Sequence, residues 1–266
     1  MELEPVTRST VSDAVFGQVL AQIVDGRLVA GDPLPGERAL AEALGVNRQA
    51  VREALKRLEQ ANLVTIAQGG ATRVRDYRST AGLELLPRLV FDASHAIDVA
   101  VLRSVLELRA CVGPDAARLA AQRGLPTHAE ELDHLVGEMA ALVAAAAVPT
   151  SATVVALSAA DWRFWEVIID ASDNIAYRLA FNSLRDGTAE LAELQRQVFA
   201  VELTDVAGHR AVSTAIARAR PQRAEAAART LVRGGLDAVV RLVAVAGAPR
   251  AARTARTARM TKEPTR

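Results

Sequence analysis

Cysteine is almost missing from this sequence. Cys111 stands alone, so no disulfide framework and no cysteine-rich zinc site can form within the chain. A reducing, cytoplasmic setting suits such a chain. Aromatic residues are scarce as well, at 3% against 50% hydrophobic, and alanine supplies much of the difference. That balance favours helices that approach one another closely over a sheet-rich fold. Long apolar runs are also lacking. The most apolar stretch, Met139 to Ala160, is interrupted by Pro149, Thr150, Ser151, Thr153 and Ser158, and the N-terminus carries no apolar segment of signal-peptide type. No membrane span is expected. The sequence has no self-similarity at a period of roughly 20 to 50 residues, which argues against a solenoid. The four histidines, at 95, 128, 134 and 209, are scattered, and neither a Gly-x-Ser-x-Gly elbow nor a phosphate-cradling loop occurs. An enzyme is therefore disfavoured, and no catalytic residue, cofactor or metal is assigned.

A chain of 266 residues is long enough for two domains with separate cores. The formal charge of +1 conceals an uneven distribution. Residues 250–266 hold six Lys or Arg against Glu263 alone, so this tail carries +5 and the remainder −4. Whole-chain charge thus says little about an anionic partner; local placement decides, because phosphates respond to the cations that one face presents. Composition predicts a disordered polar lead over 1–10 and a disordered basic tail over 247–266, the tail being either plainly solvated or a source of non-specific phosphate affinity.

The stretch from Pro35 to Leu58 predicts two short helices joined by a tight turn. Leu40, Ala43 and Leu44 form one apolar face, Gly45 punctuates, and Val51, Ala54, Leu55 and Leu58 form another. In a helix-turn-helix the second helix enters the DNA major groove, and its first turn here holds Asn47, Arg48 and Gln49, with Arg52 one turn on. Those side chains suit guanine, adenine and phosphate. The competing account is a plain helical hairpin that happens to carry arginines. Arg38, in the first turn of the preceding helix, either reaches the DNA or pairs with Glu37 or Glu42. A helix over Val11–Leu28, capped by Thr10 or Ser12, is expected behind this unit. Two short strands, Leu63–Ile66 and Thr72–Val74, follow it, joined by the hairpin Gln68-Gly69-Gly70-Ala71.

The run LPGERALAEALGVNRQAVREALKRLEQANLV followed by IAQGGATRV closely resembles the winged-helix domain of the GntR superfamily of bacterial transcription regulators. The likeness covers residues 11–76. It implies sequence-specific binding of double-stranded DNA, and it implies that the wing residues Gln68 and Gly69 lie at the duplex. Residues 77–82 are read as a linker. From 83 to 246 apolar residues recur at three- and four-residue intervals, predicting an antiparallel bundle of six or seven helices, with Pro87, Gly113-Pro114, Gly124-Pro126, Pro149, Gly208 and Pro221 at kinks or connections. The chain is therefore expected to be mainly α, a winged helix-turn-helix with a small β-hairpin wing followed by a helical domain.

That arrangement resembles the FadR subfamily, and the stretches LELRACVGPDAARLAA, DWRFWEVIIDASDN and GHRAVSTAIARARPQRAEAAARTLV carry the likeness in order. It implies a homodimer on a pseudo-palindromic operator, with the bundle as sensor of a small-molecule effector. Many subfamily members hold a divalent metal. Asp161 and His209 match two of its ligands, but Trp165 and Leu231 stand where two histidines belong, and neither indole nor isobutyl donates to a metal. Departure from the metal pattern points to the acyl-CoA-sensing branch, with a sensor of small organic or sugar acids as the alternative. Arg109, Asp161, Trp165 and His209 are the candidate ligand residues. Arg109 either faces a ligand anion or pairs with Asp161 or Glu107, and Asp161 and His209 are alternatively structural. Trp162, Phe164, Trp165, Ile168 and Phe181 either line an apolar tunnel or fill the core.

Overall fold

The computed structural model describes residues 10–67, 70–90, 97–145, 150–185 and 200–246. The chain divides into two compact units that meet at Asp98 and Val99.

The first unit begins with α1 (Val11–Val24), whose start is fixed by a capping box. Asp13 N–H donates to Thr10 Oγ1, and Thr10 N–H donates back to the Asp13 carboxylate. Thr10 is therefore a cap and not part of a polar lead, and Ser12 is buried instead of capping. Residues 1–9 lie outside the described residues. These bonds from Thr10, with Arg57 at 2.7 Å, lower the Asp13 carboxyl to about 2. α1 stops at Val24, earlier than the apolar pattern alone suggests.

Helices α2 (Glu37–Leu44) and α3 (Arg48–Gln60) are separated by a three-residue turn. Gly45 makes that turn with φ +65, the left-handed region a Cβ disfavours, and its N–H closes on Ala41 and Glu42 carbonyls. Asn47 then caps α3, its Oδ1 accepting from Ala50 N–H at 2.8 Å. α3 buries Val51, Ala54, Leu55 and Leu58 at helical spacing against Phe16, Val19 and Leu20 of α1. α2 buries Leu40 and Ala41, whereas Ala43 is exposed, so its inner stripe is rotated from the expected one.

Strands β1 (Val64–Thr65) and β2 (Arg73–Val74) pair antiparallel, Val64 opposite Val74 and Thr65 opposite Arg73. They are shorter than predicted. The Gly31–Leu34 segment extends the pairing: Leu34 N–H donates to Thr72 and Val74 N–H to Asp32. The predicted linker is structured, because Asp76 caps α4 (Tyr77–Thr80) and Thr80 Oγ1 donates to the Asn62 carbonyl at 2.7 Å. A 3-10 turn (Leu83–Leu85) and α5 (Leu86–Leu89) follow, and Leu85 and Leu89 pack into this first core.

The second unit contains α6 (Val99–Arg123), α7 (Pro126–Ala144), α8 (Ser151–Ala171), α9 (Ile175–Arg185), α10 (Ala200–Thr204), α11 (Val206–Ala217) and α12 (Pro221–Ala246). Pro126 and Pro221 open their helices, where a missing N–H costs nothing. Two residues join α6 to α7, yet the two do not pack on each other: α6 lies against α8 and α12, and α7 against α8 and α11. Residues 186–199, within the helix predicted for Asn174–Val201, lie outside the described residues. So does the basic tail.

Alanine sets the closeness of this bundle. Ala116, Ala117 and Ala120 of α6 and Ala224 and Ala228 of α12 are all buried in one core with Leu132, Val136, Phe164, Ile168 and Val212. Gly113-Pro114, expected at a break, lies inside α6. A Cβ on Gly113 would sit 3.3 Å from the Trp165 ring, so glycine there leaves room for the indole. A smaller cluster of Met139, Leu157, Ala160 and Leu203 extends the core. No described helix is long and apolar enough to cross a membrane.

Both tryptophans lie on α8, so their fluorescence reports on the second unit alone. Phe164, fully buried at the centre of that core, should on truncation to alanine lower the stability read by urea-induced change in tryptophan emission by about 3 to 5 kcal/mol. A loss below about 1 kcal/mol would show that this ring is not a core element.

Candidate functional site

Two groups of side chains named from the sequence come together, one in each unit. In the first unit the outward face of α3 presents Arg48, Gln49 and Arg52, all exposed. Glu37, at the start of α2, organises them. Arg52 donates to both its carboxylate oxygens, at 3.0 to 3.3 Å, and Arg48 lies 3.9 Å away. These bonds from Arg52 lower the Glu37 carboxyl from its ordinary value, and Glu37 in turn raises Arg52. The pairs are solvent-facing and hence screened and exchangeable. Gln49 donates to Glu53 at 3.2 Å. Arg38 pairs with Glu42 at 3.4 Å, with four-fifths of its side chain exposed. Asn47 is exposed but partly committed, since its Oδ1 is the cap of α3. Gln68 and Gly69 lie outside the described residues.

In the second unit, Arg109 of α6, Asp161 and Trp165 of α8 and His209 of α11 converge on one another. Arg109 donates twice to Glu202 of α10, at 2.7 Å through Nη1, and lies 3.8 Å from Asp161. Its guanidinium also sits over the Trp165 ring, 5.1 Å from the centroid. Glu107 is not its partner; that carboxylate pairs with Arg103. Glu202 was not anticipated. The one available signal was a single acid between Val201 and Leu203 in an apolar run, a pattern that equally describes an exposed position.

His209 is fully buried. Its Nε2 lies 3.0 Å from Asp161 Oδ1 and its Nδ1 2.8 Å from the Asp205 carbonyl. Both neighbours are acceptors, so both bonds form together only when the ring carries two protons. Burial pulls this pKa down, but the Asp161 hydrogen bond and charge, with the Asp205 carbonyl, outweigh it and raise the ring above 6.5. Burial pushes the Glu202 carboxyl up, and the Arg109 charge opposes this without cancelling it. Arg109 itself is held more firmly protonated, since the pull of Glu202 exceeds its own loss of solvation. The cluster thus balances two cations against two carboxylates, with about a fifth of the Arg109 side chain still open to solvent.

A metal does not fit here. Trp165 and Leu231 occupy two of the four family positions as buried apolar groups, and the Arg109 cation stands beside Asp161 where a metal would add like charge. Among the described residues no set of three or more His, Cys, Asp and Glu side chains is arranged to hold one. Phe164, Trp165 and Ile168 fill the core, while Trp162 and Phe181 meet edge-on at 5.2 Å on its margin. Two polar atoms of α8 are buried without a hydrogen-bond partner, Trp165 Nε1 and Ser158 Oγ.

Because the folded pKa of His209 is above its unfolded value, the protonated ring stabilises the protein fully below pH 6.5, and that contribution is lost as pH rises through the folded value. In side-chain NMR, His209 should titrate above 6.5, and Asp161→Asn should bring the midpoint down. A midpoint below 6.5 in the intact protein would contradict the two-acceptor arrangement.

Residues 11–74 match the family model for bacterial regulatory proteins of the gntR family, and residues 104–234 match the FCD domain. The HTH-type transcriptional regulator Mce2R of Mycobacterium tuberculosis is 37% identical over 232 residues, spanning 87% of this chain and 92% of that protein. A fatty acid metabolism regulator protein of Vibrio cholerae is 35% identical over 97 residues, which is 36% of this chain and 34% of its own. Among solved structures, that of Lar, which controls expression of the Listeria monocytogenes agr system, shares the fold at a TM-score of 0.58 and 17% identity, covering 90% of this chain and all of that one. With its DNA-binding winged helix, its helical FCD domain and a full-length relative of like design, the chain belongs to the GntR family of bacterial transcription regulators.

Proposed function

We propose that this regulator reads its operator with α3, through Asn47, Arg48, Gln49 and Arg52, while Arg38, Gln68 and Gly69 reach the flanking backbone and minor groove. The observation that carries this reading is the exposed row on α3, held in extended form by Glu37. A DNA phosphate or a guanine edge can replace that carboxylate at the same guanidinium forks. Two copies of the chain would then address two half-sites of a pseudo-palindrome from one face of the duplex.

In the helical domain, the ligand is an acid that competes with Glu202 for Arg109. Glu202 is the replaceable partner because burial already disfavours its charge, so release from Arg109 is accompanied by uptake of a proton. The unpartnered Trp165 Nε1 supplies a donor for the incoming oxygen. A fatty acyl-CoA or related lipid acid is the leading candidate, supported by the partial likeness to fatty acid metabolism regulators. The packed state of Phe164, Trp165 and Ile168 favours a second reading, a small organic or sugar acid, since a carboxylate head needs no apolar channel. In either case ligand binding changes DNA affinity only by favouring one of two dimer arrangements.

With an operator selected from random duplex DNA, Arg48→Ala and Arg52→Ala should each weaken binding at least about tenfold in gel shifts, with circular dichroism unchanged. Normal shifts by both variants would rule out α3 as the reading element. In thermal-shift screening, acyl-CoAs and hydroxy and sugar acids separate the two ligand readings. Arg109→Lys, which keeps the charge but loses the fork, should abolish the response while leaving operator binding intact; Glu202→Gln, which lowers the competition, should strengthen it. An unaltered response in both variants would place the ligand elsewhere.

A further inference from the structure

α11 has two contrasting faces. One buries His209, Val212 and Ile216 in the core; the other lines a groove shared with the first turns of α12. The groove measures about 440 Å³ and is broadly open to solvent. Arg210 of α11, Arg218 at its C-cap, Arg220 just before α12 and Arg223 in the first turn of α12 line it, and its remaining lining is largely alanine, including Ala211 and Ala227.

No carboxylate lines this groove. Arg210 reaches Asp133 at 3.7 Å, a long contact between two exposed side chains. Arg218, Arg220 and Arg223 have no ion-pair partner among the described residues. Arg103, Arg163 and Arg229 of the same unit, by contrast, each face a glutamate at 2.6 to 2.8 Å, although Arg233 is likewise unpaired among the described residues. Ala219, between Arg218 and Arg220, adopts φ +48, the left-handed residue that ends α11, with Arg220 N–H closing on the Ala215 carbonyl at 2.9 Å. Uncompensated like charge around a concave surface is an arrangement in which an anion can supply the missing charge.

We propose that the groove between α11 and α12 binds a small molecule bearing two or more linked phosphate groups. Guanidinium is planar and presents paired N–H donors that match phosphate oxygens, and alanines keep the floor low enough for a diphosphate to lie between the forks. A single carboxylate brings one charge and two acceptors, too little to satisfy three unpaired cations, whereas a diphosphate brings at least two charges and several acceptors. The site uses neither Arg109 nor Glu202 nor any residue of α3, so it goes beyond the acidic-effector reading and does not depend on it.

The test is calorimetric titration of the full chain with pyrophosphate and ADP, with citrate as a polyanion lacking phosphate, all at the same ionic strength. Pyrophosphate and ADP should saturate one site per chain, with citrate at least about tenfold weaker. Arg218→Ala and Arg223→Ala should each lower pyrophosphate affinity at least about tenfold, whereas Arg229→Ala, which removes a cation already paired with Glu225, should not. Unchanged tryptophan emission checks that the variants fold. The proposal is overturned if pyrophosphate and ADP give no saturable heat up to millimolar concentration, if citrate binds equally, or if the variants leave affinity unchanged. It is equally overturned if they alter only duplex DNA binding or the oligomeric state. Arg48→Ala should leave pyrophosphate binding intact, so failure of the operator reading and failure of this one remain distinguishable.

Discussion

The second unit depends on a balanced set of buried charges. Arg109, Asp161, Glu202 and His209 come from α6, α8, α10 and α11, and each is held by at least one other. Removing one member of such a set leaves an uncompensated charge in a poorly solvated place, which is far more damaging than never having had the set at all. The arrangement therefore constrains four helices together. It also explains why a helix as short as α10 has a fixed place: Glu202 is tethered to α6 through Arg109 while Leu203 packs with Met139 and Leu157. Charge supplies register, and apolar contact supplies most of the cohesion.

The first unit uses charge in the opposite way. Glu37, Arg48 and Arg52 are solvent-facing, so their attraction is screened and readily exchanged. What this carboxylate provides is preorganisation: long arginine side chains already extended lose less freedom on meeting a target. The structural attraction that helps hold α3 is elsewhere, in Arg57 to Asp13 of α1 and in the apolar row from Val51 to Leu58. Cohesion and the solvent-facing arginine row thus occupy opposite faces of one helix.

Much of this was legible in the sequence, for reasons that can be named. Helical spacing placed Val51, Ala54, Leu55 and Leu58 on one face, and Gly45 marked the turn because few other residues accept its backbone angles. The strands were overestimated because β propensity in Leu63–Ile66 and Thr72–Val74 says nothing about where pairing ends. Residues 77–82 were mistaken for a linker because α4 is held by side-chain bonds to Asp76 and Asn62, which leave no periodic trace. Gly113-Pro114 suggested a break, but packing against α8 and α12 overrides local preference and keeps α6 continuous. The candidate ligand residues did converge, yet Glu202, the closest partner of Arg109, stayed invisible because its partner lies 93 positions away.

Gly113 and Trp165 have become mutually dependent. The indole fills the space that a side chain on α6 would take, with Val232 of α12 close to the same spot. Exchanging Trp165 for a smaller side chain would open a void between three helices, and adding bulk at position 113 would collide with the ring. The contact ties the size of one α8 side chain to the absence of any on α6, so the two positions can change only together.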